Sequence, residues 1–179
     1  MGADIKLQKE ALAWIAKNAG KGKYANLDGS RIAVAGQSCG GLESYYASQD
    51  PAVKTIGIFN SGFFTSTSKK DMEIVTKMNR PIFYFLGGKT DIAFENGEAN
   101  YKVLPSTTPA WKGNLPVGHM ATYTQAKGGK FGTAMWKWLD FTLRGGNSSS
   151  EFFAGKGAEN DGWSVEKRNM DKISVTPIG

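Results

Sequence analysis

The chain predicts an α/β fold: a mainly parallel sheet of about four strands with helices on both faces. Three observations lead there. Short apolar runs rich in branched or aromatic residues, such as IAVA at 32–35 and PIFYFL at 81–86, suit strands buried on both sides. Stretches with apolar residues at helical spacing separate them, and such alternation builds a parallel sheet through right-handed crossovers. Finally, RIAVAGQSCGG at 31–41 reads as a strand, a sharp turn and a helix, with Ser38 at the apex.

In chain order, a helix is expected from about Asp4 to Ala19, with Leu12, Ile15, Ala16 and Ala19 on one face and Gly20 able to end it. A polar turn leads into the first strand and its turn. The following short helix carries Leu42, Tyr45 and Tyr46 and stops near Pro51. Val53–Asn60 is the second strand and Pro81–Leu86 the third, with Met72, Val75 and Met78 marking a helix between them. A helix from about Glu95 to Leu104 ends at Pro105. Ala110–Val117 is a weaker fourth strand, interrupted by Gly113 and Pro116. The closing helix, about Lys130 to Leu143, places Phe131, Met135, Trp138 and Thr142 on one face. Residues 1–147 thus read as one domain. Residues 148–179, which mix Gly, Ser and charge with isolated aromatics, read as an irregular segment packed on it.

Composition narrows the function classes. The net charge is +6, but the 22 Lys and Arg are dispersed and accompany no nucleic-acid motif, so no nucleic-acid partner is expected. No apolar run approaches the roughly 20 residues of a membrane span. A single cysteine, Cys39, excludes an intrachain disulfide and a multi-cysteine metal site, and no metal site is expected.

Functional groups of parallel α/β sheets collect at the carboxyl ends of the strands. Ser38, Asp91 and His119 follow the first, third and fourth strands. Serine needs an imidazole to take its proton, and the imidazole needs a carboxylate to fix its tautomer, so Ser, Asp and His together point to nucleophilic acyl chemistry. His119 is the only histidine in the chain. Alternatives stand for each residue: Ser38 as a small turn residue, Asp91 as a cap of the following helix, His119 as structural or exposed. Glu95 is the substitute acid, disfavoured inside its helix. Gly36 and Gly40 are the elbow glycines of G-x-S-x-G, though 23 glycines in 179 residues make the pentapeptide alone weak.

The stretches RIAVAGQSCGGLESYYAS, IFNSG, PIFYFLGGKTDIAFENG, NLPVGHMATY, GGKFG and DGWSVEKRN resemble a group of fungal, typically secreted α/β-hydrolase-fold proteins, distantly similar to esterases and dienelactone hydrolases. The resemblance covers nearly the whole chain. It implies Ser38 as nucleophile, Asp91 as acid and His119 as base, with no cofactor. Dienelactone hydrolases proper use cysteine at the elbow; here Cys39 follows the serine and would offer its backbone N–H to an oxyanion. The implied substrate is a small or polymeric carboxylic ester, with Phe63, Phe64 and Met120 as candidate acyl-pocket residues. Acyl transfer to an alcohol shares the same residues.

Complete α/β-hydrolases have several strands before the elbow, where this sequence offers one helix. The expectation is a partial fold, a truncated product or fragment with a weakened oxyanion hole, or else a noncatalytic binding protein. The elbow strand would be an edge that invites self-association. MGADIKLQKE has no apolar signal-peptide core, so secretion would require an upstream segment.

Overall fold

The computed structural model describes residues 4–178. Its centre is a five-stranded sheet in the order β1 (Ile32–Gln37), β2 (Val53–Phe59), β3 (Ile82–Leu86), β4 (Ala110–Asn114) and β5 (Ser164–Arg168). The first four strands are parallel and β5 runs antiparallel to β4. The helices are α1 (Lys6–Asn18), α2 (Cys39–Ala47), α3 (Lys69–Thr76), α4 (Phe94–Val103), α5 (Gly129–Leu139), α6 (Asn147–Phe153) and α7 (Gly157–Asn160). No helix among the described residues is long and apolar enough to cross a membrane.

Strand periodicity sorts side chains into two cores. Ile56, Ile58, Ile82, Tyr84 and Leu86 point to one face, where they meet Leu12, Tyr45, Val75, Tyr101 and Leu104 from α1 to α4 and the turn after α4. Phe59, Phe83, Phe85 and Trp111 point to the other, against Phe131, Ala134 and Trp138 of α5. Gly57 makes the second face possible. A Cβ there would stand 2.8 Å from the Trp138 ring, whose Nε1–H instead donates to Thr55 Oγ1 at 3.0 Å.

Several elements depart from the sequence expectation. The fourth strand stops at Asn114, before Pro116, which cannot supply a ladder N–H. The closing helix passes at Asp140–Arg144 into a π-helical turn, and Met135 is exposed while Ala134 and Phe141 are buried. The segment expected to be irregular forms α6, α7 and β5. Its isolated aromatics carry no readable period because each enters the core from a different short element. Phe153 stands edge-on to Phe83 and Trp111, with centroids 5.1 and 5.0 Å away, and Trp163 packs 4.9 Å from Phe131. Strand β5 is amphipathic only weakly; Glu166 pairs with Lys112 across the ladder at 2.6 Å.

Removing one of these aromatics leaves a cavity in a dense cluster. Phe153→Ala is expected to lower the unfolding free energy by about 3–5 kcal/mol, measured by urea titration followed by tryptophan fluorescence.

Candidate functional site

The turn after β1 bends more sharply than most residues allow. Ser38 has φ 52° and ψ −118°, a strained conformation for a residue with a Cβ. Three hydrogen bonds hold it: Ser38 N–H to the Phe59 carbonyl, Gly41 N–H to the Ser38 carbonyl and Ser61 Oγ–H to that same carbonyl at 2.7 Å. The chain then reverses so closely that a Cβ on Gly36 would lie 2.1 Å from the backbone of Gly40. A Cβ on Gly41 would meet Ser61 at 2.4 Å. Gly40 itself has nothing within 4 Å of its Cβ position and no positive φ. The glycines whose missing side chains the elbow requires are therefore Gly36 and Gly41, in place of the expected pair Gly36 and Gly40.

Asp91 enters from the turn after β3. Gly87 and Gly88 shape that turn: a Cβ on Gly87 would strike the Gly118 carbonyl at 2.1 Å, and Gly88 has φ 83°. The loop bearing His119 thereby lies directly on the turn, with Gly118 N–H donating to the Gly87 carbonyl at 2.7 Å. The Asp91 carboxyl is fully buried and accepts four hydrogen bonds. Oδ2 receives the Asn60 amide at 2.8 Å and Gly87 N–H at 3.0 Å; Oδ1 receives Ala93 N–H at 3.0 Å and His119 Nδ1 at 2.6 Å. Burial pushes its pKa up, but the Ala93, His119, Asn60 and Gly87 donors outweigh burial and hold it below the ordinary value.

An ionised carboxylate only accepts, so the imidazole proton belongs on Nδ1 and the Nε2 lone pair faces outward. Nε2 stands 3.0 Å from Ser38 Oγ, whose hydroxyl can donate to it. Ser38, His119 and Asp91, expected from three distant stretches, thus come together in one chain of hydrogen bonds. Gln37, between the elbow glycine and Ser38, donates from Nε2 to the His119 carbonyl at 3.1 Å and steadies the loop. Asp91 does not cap α4: the N-cap residue is Ala93, with no side-chain cap bond, and the carboxylate takes the Ala93 N–H in the turn ahead of the helix. Glu95 lies on the exposed side of α4.

A cleft of about 80 Å³ opens over Ser38 and His119, lined also by Cys39, Leu42, Phe64, Ile92 and Asn96. Phe64 is 55% exposed and Ile92 81%; Met120, beside His119, is 65% exposed. Phe63 is 4% exposed and stacks on Tyr45 at 4.4 Å, so its ring belongs to the core and not to the cleft. Cys39 is free and exposed, and its N–H, at the first position of α2, has no intrahelical acceptor. Among the described residues no group of three or more His, Cys, Asp or Glu is placed to hold a metal ion.

The fold resembles that of an esterase domain. That domain, from a Rhodothermus marinus protein, superposes with a TM-score of 0.56 at 14% sequence identity, over 76% of this chain and 67% of its own. No protein-family model matches the sequence, and no curated protein matches it. At such identity the likeness concerns the fold alone: a mostly parallel sheet with helices, arranged as in that esterase domain. Asn60, Gln37 and Tyr123, which the structure adds to the site, belong to no motif that points to a role. Asn60 at the end of a strand, followed by Ser-Gly, was the available signal, because asparagine tolerates the positive φ of 44° found there.

Two outcomes test this geometry. Gly36→Ala should destabilise the fold by at least about 3 kcal/mol through overpacking, whereas Gly40→Ala should be neutral or stabilise by up to about 1 kcal/mol; thermal melts of both variants distinguish them. For Asp91, a folded-state pKa below the unfolded value of about 3.9 means that its contribution is complete above that pH and is lost as the pH falls through the folded value. The stability advantage of the wild type over Asp91→Asn, measured by urea unfolding, should therefore be constant near neutrality and narrow below about pH 4.

Proposed function

We propose that the chain is a serine hydrolase of carboxylic esters. The observation that carries this reading is the unbroken path from Ser38 Oγ through His119 to the buried Asp91 carboxylate, opening on a cleft. Ser38 Oγ attacks the ester carbonyl carbon while His119 Nε2 takes its proton. The Cys39 N–H donates to the oxyanion that forms, with the amino-terminal end of α2 behind it. His119 passes the proton to the leaving alkoxide, which departs as the alcohol and leaves Ser38 acylated. Water then gives a proton to His119 and attacks the acyl carbon; the acid leaves and Ser38 recovers its proton. Asp91 holds the Nδ1 tautomer and stabilises the imidazolium in both halves.

The apolar cleft wall formed by Leu42, Phe64 and Ile92 supports an apolar acyl or aryl group on the substrate. The sequence resemblance to fungal esterase-like proteins points the same way. Met120, next to His119 in sequence, is exposed and does not line the cleft.

A fluorophosphonate probe with mass-spectrometric site mapping tests the proposal. Labelling of Ser38, abolished in Ser38→Ala and strongly slowed in His119→Ala, is the expected result. Folded protein that takes no label would favour a noncatalytic binding role on the same fold.

A further inference from the structure

Asn60 closes β2 in a backbone conformation that most side chains avoid, with φ 44°, while its N–H still reaches the Phe85 carbonyl at 2.8 Å. Its side chain is fully buried beneath the cleft. The amide has one self-consistent orientation. The Asp91 carboxylate at 2.8 Å and the Gly118 carbonyl at 3.3 Å are both acceptors, so Nδ2 must face them. Oδ1 is then left to face Tyr123, whose hydroxyl lies 2.7 Å away and donates to it.

Tyr123 belongs to the same loop as His119, four residues on. Its ring packs edge-on to Phe131 at 5.6 Å. The neighbouring Thr122 anchors the loop to the start of α5, accepting from Phe131 N–H at 3.0 Å and donating to the Gly128 carbonyl at 2.6 Å. Burial, reinforced by the nearby Asp91 charge, pushes the phenol pKa well up, so the hydroxyl remains a donor throughout the neutral range.

We propose that Asn60 and Tyr123 are positioning residues for the reaction at Ser38: Tyr123 locks the Asn60 amide, and the amide fixes the Asp91 carboxylate in the orientation that presents Oδ1 to His119. This rests on the hydrolase reading above and extends its hydrogen-bonded path by two members. The geometry gives the carboxylate little choice. Gly87 N–H and Ala93 N–H come from the backbone on either side of Asp91, within its own turn, and can follow it if the turn shifts. Besides His119 itself, the Asn60 amide is the side-chain donor that comes from outside this turn, and from the end of β2 it refers the carboxylate to the sheet. Asn60 and Tyr123 touch no reacting atom in this scheme; they act through Asp91.

His119 is the only histidine, so its ring signals in a nuclear magnetic resonance spectrum need no assignment by mutation, and they report on the site whether or not an ester is turned over. Tyr123→Phe keeps the ring contact with Phe131 and removes the hydroxyl alone. The expected result is faster exchange of the His119 Nδ1 proton with water and kcat about tenfold lower, with KM within about twofold of the wild type. Asn60→Gly keeps the tolerance of positive φ and removes the amide; it should speed exchange of the Nδ1 proton at least as much as Tyr123→Phe. In an Asp91→Ala background, Tyr123→Phe should cost nothing further, the signature of action through the carboxylate.

An unchanged Nδ1 proton in Tyr123→Phe overturns the proposal, even if activity falls, because the loss would then be general structural damage. A full additional loss in the Asp91→Ala background overturns it as well. If the wild type neither hydrolyses esters nor takes the phosphonate probe while the Nδ1 proton still loosens in Tyr123→Phe, the hydrolase reading fails and the positioning role stands.

Discussion

A single buried carboxylate ties together the working end of this protein. Asp91 draws donors from the end of β2 through Asn60, from the end of β3 through Gly87, from the entry to α4 through Ala93 and from the loop after β4 through His119. A buried charge is tolerated only when its lone pairs are filled, and four donors fill them. The arrangement is reciprocal. Each of the four segments has a polar group that would be stranded without Asp91, so the carboxylate specifies where three strand ends stand relative to one another. Chemistry and architecture share the same bonds.

The sheet supplies the rigid frame for that junction, and glycine sets how close its parts come. Gly57 admits the Trp138 ring against β2, Gly87 admits the His119 loop against the β3 turn, and Gly36 admits α2 against β1. Large aromatics then fill what the glycines vacate, with Phe59 stacked on Phe85 at 4.3 Å and Trp111, Phe153 and Trp163 completing the second core. On the opposite face Lys112, the one buried lysine among the described residues, is paired with Glu98 at 2.7 Å and with Glu166 at 2.6 Å, and lies over the Tyr101 ring. That cluster joins β4, β5 and α4. The strand that sequence patterning could not detect is thus held by a charge pair whose partners are 54 residues apart.

What the sequence made legible follows from where local and global signals agree. Strands β1 to β3 are dense branched or aromatic runs with clear punctuation, and Ser38, Asp91 and His119 stand just beyond strand ends, where position alone is informative. Strand β5 and helices α6 and α7 are short and polar on most positions, so tertiary contacts decide them. Met135 and Phe63 illustrate a second limit: apolar character identifies a residue that prefers burial but not the direction it faces, and here Met135 faces solvent while Phe63 turns into the core. Gly40 illustrates a third. A pattern letter says that glycine occurs, whereas need depends on what a Cβ would touch, and only the neighbouring Gly41 is sterically bound. Asn60 and Tyr123 both lay within stretches that carried the family resemblance, yet their pairing spans 63 residues and leaves no local trace.

Ser38 occupies the least supported place in this frame. Strand β1 is the edge of the sheet, bonded to β2 on one side, and Ala35 in its middle is exposed. An interior strand would be held from both flanks; here the strained backbone of Ser38 is held from the β2 side through Phe59 and Ser61, and from below by the start of α2. His119, in contrast, is tied through Asp91 to the middle of the sheet. The distance of 3.0 Å between Ser38 Oγ and His119 Nε2 therefore spans a junction between an imidazole tied to the middle of the sheet and a serine mounted at its edge. The residues that fix it are those bridging the gap: Ser61, one residue beyond Asn60, and Gln37, which reaches from the edge strand to the His119 carbonyl. In this fold the end of β2 thus reaches both side chains, Asn60 bonding the Asp91 carboxylate that holds His119 and Ser61 bonding the Ser38 carbonyl.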